Sequence, residues 1–127
     1  MRLLFALAAF LGIGASLASA EAAAKQEEAV IVRFDYGQKD WSPFFEFEKA
    51  LEEAIAKAGV GEYDGNELAV DGSDGTKYMY GPDADKLFAL VRPRLLAASF
   101  LKNVVVTLRY GAASDPAARQ ARIELSR

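Results

Sequence analysis

The sequence predicts an α+β domain. Two observations carry this. Several short segments alternate apolar and polar residues with period two, and two longer segments repeat apolar residues at three- and four-residue spacing. A third observation places the domain within the chain: the first 20 residues have the composition of an export leader and stand apart from both patterns.

In the leader, Arg2 is a short basic region, residues 3–11 are apolar throughout, and Ala18-Ser19-Ala20 offers small residues to a signal peptidase. Residues 1–20 are therefore expected to be removed, with the working chain starting at Glu21 and the leader packing against nothing. An anchor is the alternative, because residues 3–20 carry no charge. The Gly-, Ala- and Ser-rich second half and the lack of a following basic cluster favour cleavage. The expected location is the periplasm or the extracellular space, with no membrane contact after cleavage. Residues 21–28 (EAAAKQEE) have no apolar face and read as a tether. Residues 29–127 form the single domain.

Residues 29–36 alternate, with Val30, Val32, Phe34 and Tyr36 on one face and Ile31, Arg33 and Asp35 on the other. This is the first strand. Ser42-Pro43 opens the first helix, with Ser42 as its expected cap. Phe44, Phe47, Leu51, Ala54, Ile55 and Ala58 form its apolar stripe, and Gly59 ends it. Residues 67–70 and 76–80 are two strands joined through Asp71-Gly72-Ser73-Asp74-Gly75 into a hairpin. Asp83 caps the second helix, and Asp85 suits its positive N-terminus. Ala84, Leu87, Phe88, Val91 and Leu95 form the second stripe. Pro93 predicts a kink or break. Residues 103–110 and 120–126 are the last two strands, separated by a loop at Asp115-Pro116.

The order β-α-β-β-α-β with a further C-terminal strand resembles the ferredoxin-like fold, which places two helices on one face of an antiparallel sheet. The resemblance implies an extra edge strand beside the fourth. The first and third strands are expected to be central and parallel. Residues 61–85 also resemble the middle of a group of small uncharacterised exported bacterial domains, a likeness that brings no function with it.

Composition removes more functions than it suggests. The chain has no cysteine and no histidine. That excludes disulfides, thiol catalysis, imidazole bases and His- or Cys-ligated metal sites. Without the leader the net charge is −4, which disfavours nucleic acid. Asp64-Gly65-Asn66-Glu67 and Asp71-Gly72-Ser73-Asp74 lack EF-hand spacing and read as turns, so no metal and no cofactor is expected.

Three strands end in Tyr-Gly: Tyr36-Gly37, Tyr80-Gly81 and Tyr110-Gly111. Buried rings with hydroxyls reaching water explain these pairs. If the first and third strands are parallel, Tyr36 and Tyr80 share one sheet end with Asp40, Trp41, Ser42, Asp83 and Asp85. Such a site suits a small ligand or a partner protein, with Trp41 as the anchor. Arg33, Asp35, Thr107, Arg109 and Arg122 are expected on the open sheet face, as cross-strand ion pairs or as a homodimer surface. The expected function is a non-catalytic binding or protein-interaction domain. The alternative is a carboxylate-dependent hydrolase or cation-binding domain at the same sheet end, drawing its groups from Asp35, Asp40, Asp83 and Asp85.

Overall fold

The computed structural model describes residues 2–6 and 28–126. The remaining residues of the expected leader and residues 21–27 of the expected tether lie outside the described residues, while Glu28, assigned to the tether, is the first residue of a strand. The elements are β1 (Arg2–Ala6), β2 (Glu28–Asp35), α1 (Ser42–Ala58), β3 (Glu62–Ala69), β4 (Asp74–Gly81), α2 (Ala84–Ala97), β5 (Lys102–Arg109) and β6 (Gln120–Glu124). The domain is thus α+β, with two helices against an antiparallel sheet in the order β3-β4-β2-β5-β6, and β1 lies along the outer edge of β3.

The alternation of β2 decides its two faces. Val30, Val32 and Phe34 are fully buried and meet Phe44, Leu51 and Ile55 of α1 and Leu87, Val91 and Leu95 of α2. Val106 and Leu108 of β5 and Met79 of β4 complete this layer. The predicted stripe on α2 is the buried one, with Phe88 only partly covered. On α1 the buried residues are Phe44, Glu48, Leu51 and Ile55.

Four expectations are corrected. The strand 67–70 is twice as long and begins at Glu62. Its first half hides behind turn-like residues because the β3–β4 register shifts between Tyr63 and Gly65, a bulge that accommodates the glycine. Of the kink or break expected at Pro93, the break does not occur: α2 runs through to Ala97. Pro93 is exposed, so its ring disturbs no core packing, and the carbonyl that loses its helical donor, that of Ala89, belongs to an exposed residue as well. The first and third strands are antiparallel: Glu28 pairs with Gly81 and Asp35 with Asp74. The reason is geometric. α1 returns the chain so that β3 runs in the direction of β2, and the hairpin then reverses β4. Finally, Arg2–Ala6 is not apart from the fold, because it pairs with β3 over five residues.

Candidate functional site

The antiparallel pairing divides the expected site. Tyr36 follows β2 at the end where β4 begins, and its N–H donates to the Ser73 carbonyl at 2.9 Å. Tyr80 pairs with Ala29 at the other end. Seven residues of extended chain separate the two positions, about 23 Å. They also occupy opposite faces. Tyr36 is 2 % exposed on the helix side, and Tyr80 is half-buried on the open side, with the Arg109 guanidinium 6.0 Å from its ring centre.

At the Tyr36 end stand Asp40, Trp41 and Ser42. Asp40 Oδ1 accepts from the Ser42 N–H at 2.9 Å. The cap position of α1 is Trp41, whose side chain makes no capping bond, so Ser42 does not fill the expected role. The Ser42 N–H holds the Asp40 carboxyl below its ordinary range, the opposite of what a general acid needs. The Tyr36 hydroxyl donates to the Asp40 carbonyl. Trp41 lies flat on the Tyr36 ring, with centroids 4.2 Å apart and planes 4° from parallel. Trp41 meets Phe44 edge-on at 5.2 Å, Phe44 meets Phe45 at 5.4 Å, and Phe47 meets Phe100 at 5.9 Å. Only the base of this aromatic cluster is sealed: Phe44 is fully buried while Phe45 is 42 % exposed. Trp41, Phe47 and Phe100 are half-buried around it.

At the Tyr80 end the carboxylates hold the fold. Asp83 caps α2 as expected, accepting from the Lys86 N–H at 3.1 Å. Glu28 accepts from the Ala84 N–H at 2.8 Å, and Asp85 accepts from the Tyr110 hydroxyl at 2.6 Å. On the open sheet face Arg33 meets Asp74 at 3.1 Å and Asp35 at 3.6 Å, and Asn103 Nδ2 donates to Asp35 at 2.9 Å. Arg109 Nε donates to the Gly111 carbonyl at 2.8 Å, and Arg122 pairs with Glu124 at 2.8 Å. Each of Asp35, Asp40, Asp83 and Asp85 is thus engaged with a neighbouring protein group. Among the described residues no three His, Cys, Asp or Glu side chains converge to hold a metal ion. Asp71 accepts from the Ser73 N–H at 2.9 Å, the turn chemistry expected of it.

The structure also contains a polar cluster that sequence reasoning missed. Lys77 of β4 is fully buried, with Nζ 3.7 Å from the centre of the Phe44 ring and 3.3 Å from the Tyr63 hydroxyl, to which it donates. Phe34, Phe47 and Tyr63 complete a cage with ring centres between 5.1 and 5.6 Å from the same atom. Asn66 Nδ2 donates to Glu48 Oε1 at 2.9 Å and to the Tyr63 hydroxyl at 3.2 Å, while Asn66 Oδ1 has no partner. Burial pushes the Lys77 ammonium down to about 7, against a smaller opposing pull from Glu48. Burial likewise raises the Glu48 carboxyl and the Tyr63 hydroxyl. The signals were present. Lys77 shares its period-two face with Met79, and Glu48 sits four residues after Phe44 within the apolar stripe of α1. Around neutral pH the cluster can gain or lose a proton, but it is closed. The groove beside it, between Glu52, Ile55, Tyr63 and Asp64, holds about 190 Å³, less than a small-molecule site of roughly 300–1,000 Å³.

Comparison with family models, with curated proteins and with solved structures found no match for the chain.

Proposed function

We propose that this protein is an exported, non-catalytic interaction domain of ferredoxin-like architecture, and that it engages a partner protein through the aromatic surface at the start of α1. The observation that carries this is the flat stack of Trp41 on the buried Tyr36. It holds a large ring rigid at the surface beside the exposed Phe45, so little side-chain entropy is lost on docking. The exposed residues around these rings carry both signs, Asp40 and Glu46 beside Lys39 and Lys49, which suits a partner offering an apolar patch with a mixed polar rim. The strand order β3-β4-β2-β5, with a helix after β2 and after β4, supports the ferredoxin-like assignment. Arg2, the apolar run 3–11 and Ala18-Ser19-Ala20 support export. Against catalysis stands the engagement of all four candidate carboxylates in capping, turn or surface contacts.

A photo-crosslinking side chain placed at Phe45 of the exported chain tests the surface, with exposed Lys57, about three turns further along α1 and turned away from Phe45, as the control position. The expected result is one discrete protein adduct from position 45, lost in Trp41→Ala. Equal labelling from both positions, or an adduct indifferent to Trp41→Ala, overturns the proposal. Mass measurement of the exported chain should give a start at Glu21.

A further inference from the structure

The aromatic surface is not the only place where this chain can meet another. Sheet edges invite pairing, and natural edges are blunted by bulges, proline or charge. The two edges here differ. β6 is only five residues long and exposes Gln120, Arg122 and Glu124 along it. β3 is eight residues long, and its bulge between Tyr63 and Gly65 disturbs only the first part. From 65 to 69 (GNELA) it has neither proline nor lysine, and the next residue, Val70, is 53 % exposed.

In this structure that stretch is occupied. Arg2 pairs with Ala69, Leu3 with Leu68, Leu4 with Glu67, Phe5 with Asn66 and Ala6 with Gly65, all antiparallel. The occupying sequence, RLLFA, is extended and mostly apolar. It belongs to the leader, and residues 28–126 pack a core of their own, in which Val30, Val32 and Phe34 meet Phe44, Leu51, Leu87 and Val91 of the helices. Removing the leader therefore takes away the sixth strand, leaves this cluster in place and opens the outward-facing backbone donors and acceptors of alternate residues over 65–69.

We propose that the edge of β3 over 65–69 is a strand acceptor, which the leader fills in the precursor and an extended, mostly apolar segment of a partner protein fills after leader removal. Backbone pairing supplies the affinity, and alternate side chains of the incoming strand supply the selectivity. Positions opposite Leu68 and Asn66 fall on the helix-covered side of the pleat, because Leu68 belongs to the core cluster and Asn66 donates to Glu48 of α1. The position opposite Glu67 falls on the open side. The incoming strand should therefore be apolar opposite Leu68 and tolerant opposite Glu67. The proposal rests on the export reading only for the event that vacates the edge.

The test uses the labelled peptide MRLLFALA with two lysines added at its end, the chain 21–127 and the full chain 1–127. Fluorescence anisotropy should show saturable binding to 21–127 and at least roughly tenfold weaker binding to 1–127, whose edge is filled. Amide exchange should slow within 65–69 of 21–127 on peptide addition. Methylating alternate peptide nitrogens should reduce binding at least roughly tenfold. Absence of binding to a 21–127 chain with native Trp41 fluorescence overturns the proposal. So does binding indifferent to nitrogen methylation, or a 21–127 dimer whose 65–69 amides are already protected. A chain exported with Met1 retained would refute leader removal and leave the peptide result to judge the edge separately.

Discussion

Replacing Lys77 by methionine, together with Glu48 by glutamine, should make the domain more stable at neutral and acid pH. Lys77 has one hydrogen bond, to the Tyr63 hydroxyl at 3.3 Å, and otherwise faces rings. Its ammonium is fully buried, and its pKa falls from 10.5 to about 7. The unfolded chain therefore binds this proton more readily than the folded one, so the folded state loses stability as pH falls from about 10 to about 7. At about 1.36 kcal/mol per pH unit, the full cost below pH 7 approaches roughly 5 kcal/mol, a large share of a domain's typical total of about 5–15. Between pH 6 and 9 the native protein should gain roughly 2–3 kcal/mol from this group. Methionine retains the side-chain length and fills the cage formed by Phe34, Phe44, Phe47 and Tyr63. Glutamine keeps an acceptor for Asn66 and avoids leaving an unpaired buried carboxylate. Glu48 has the opposite sign: its raised pKa contributes stability below the unfolded value, and this is lost as pH rises. The assay is urea unfolding at pH 6, 7.5 and 9, followed by Trp41 fluorescence. The double variant should unfold at higher urea than the native chain at pH 6, and the difference should shrink toward pH 9. A double variant less stable than the native chain at pH 6 would refute the reasoning. It would mean that the aromatic cage and Tyr63 stabilise the ammonium by more than its burial costs.

Other outcomes follow from single contacts. Trp41→Ala removes the stack on Tyr36 and the edge contact to Phe44, and should cost about 1–3 kcal/mol in thermal unfolding. Phe45→Ala, at an exposed position, should stay within about 0.5 kcal/mol. Gly72→Ala should cost more than Gly37→Ala. Both glycines have positive φ, but a Cβ at Gly72 would lie 2.0 Å from the Gln38 carbonyl oxygen, whereas Gly37 has open space around it. The strain alone is worth about 1 kcal/mol or more, so equal urea midpoints for the two variants would contradict the tight approach. Asp83→Ala removes the cap of α2 and should lower stability by about 1 kcal/mol, with Asp83→Asn recovering most of it. Circular dichroism melts separate these two variants.

Much of the architecture was legible because it depends on local periodicity. Val30, Val32 and Phe34 are two residues apart and share a face wherever the strand lies. Phe44, Leu51 and Ile55 share a stripe wherever the helix packs. The hairpin turn announced itself through Asp71 and Gly72, and the start of α2 through Asp83. These signals arise from backbone geometry and nearest neighbours. The first half of β3 escaped because Asp64-Gly65 has the composition of a turn, and a bulge uses the same residues inside a strand.

The candidate site was less legible, because it depends on strand direction and on what lies across a gap. Tyr36 and Tyr80 carry the same local signature, yet the reversal of β4 sets them at opposite ends, and the pairing of Tyr80 with Ala29, seven residues from Tyr36, sets them on opposite faces. The sequence alone determined two amphipathic helices, the alternating strands, the lack of any thiol or imidazole chemistry and the uncharged run over residues 3–20. The tertiary structure decided the rest. It set Trp41 flat on Tyr36, drew Lys77, Glu48, Asn66 and Tyr63 from three elements into one buried cluster, and laid residues 2–6 along β3. The physical reason is range: propensity and periodicity act over a few residues, whereas burial, ring stacking and edge pairing depend on partners far apart in the chain.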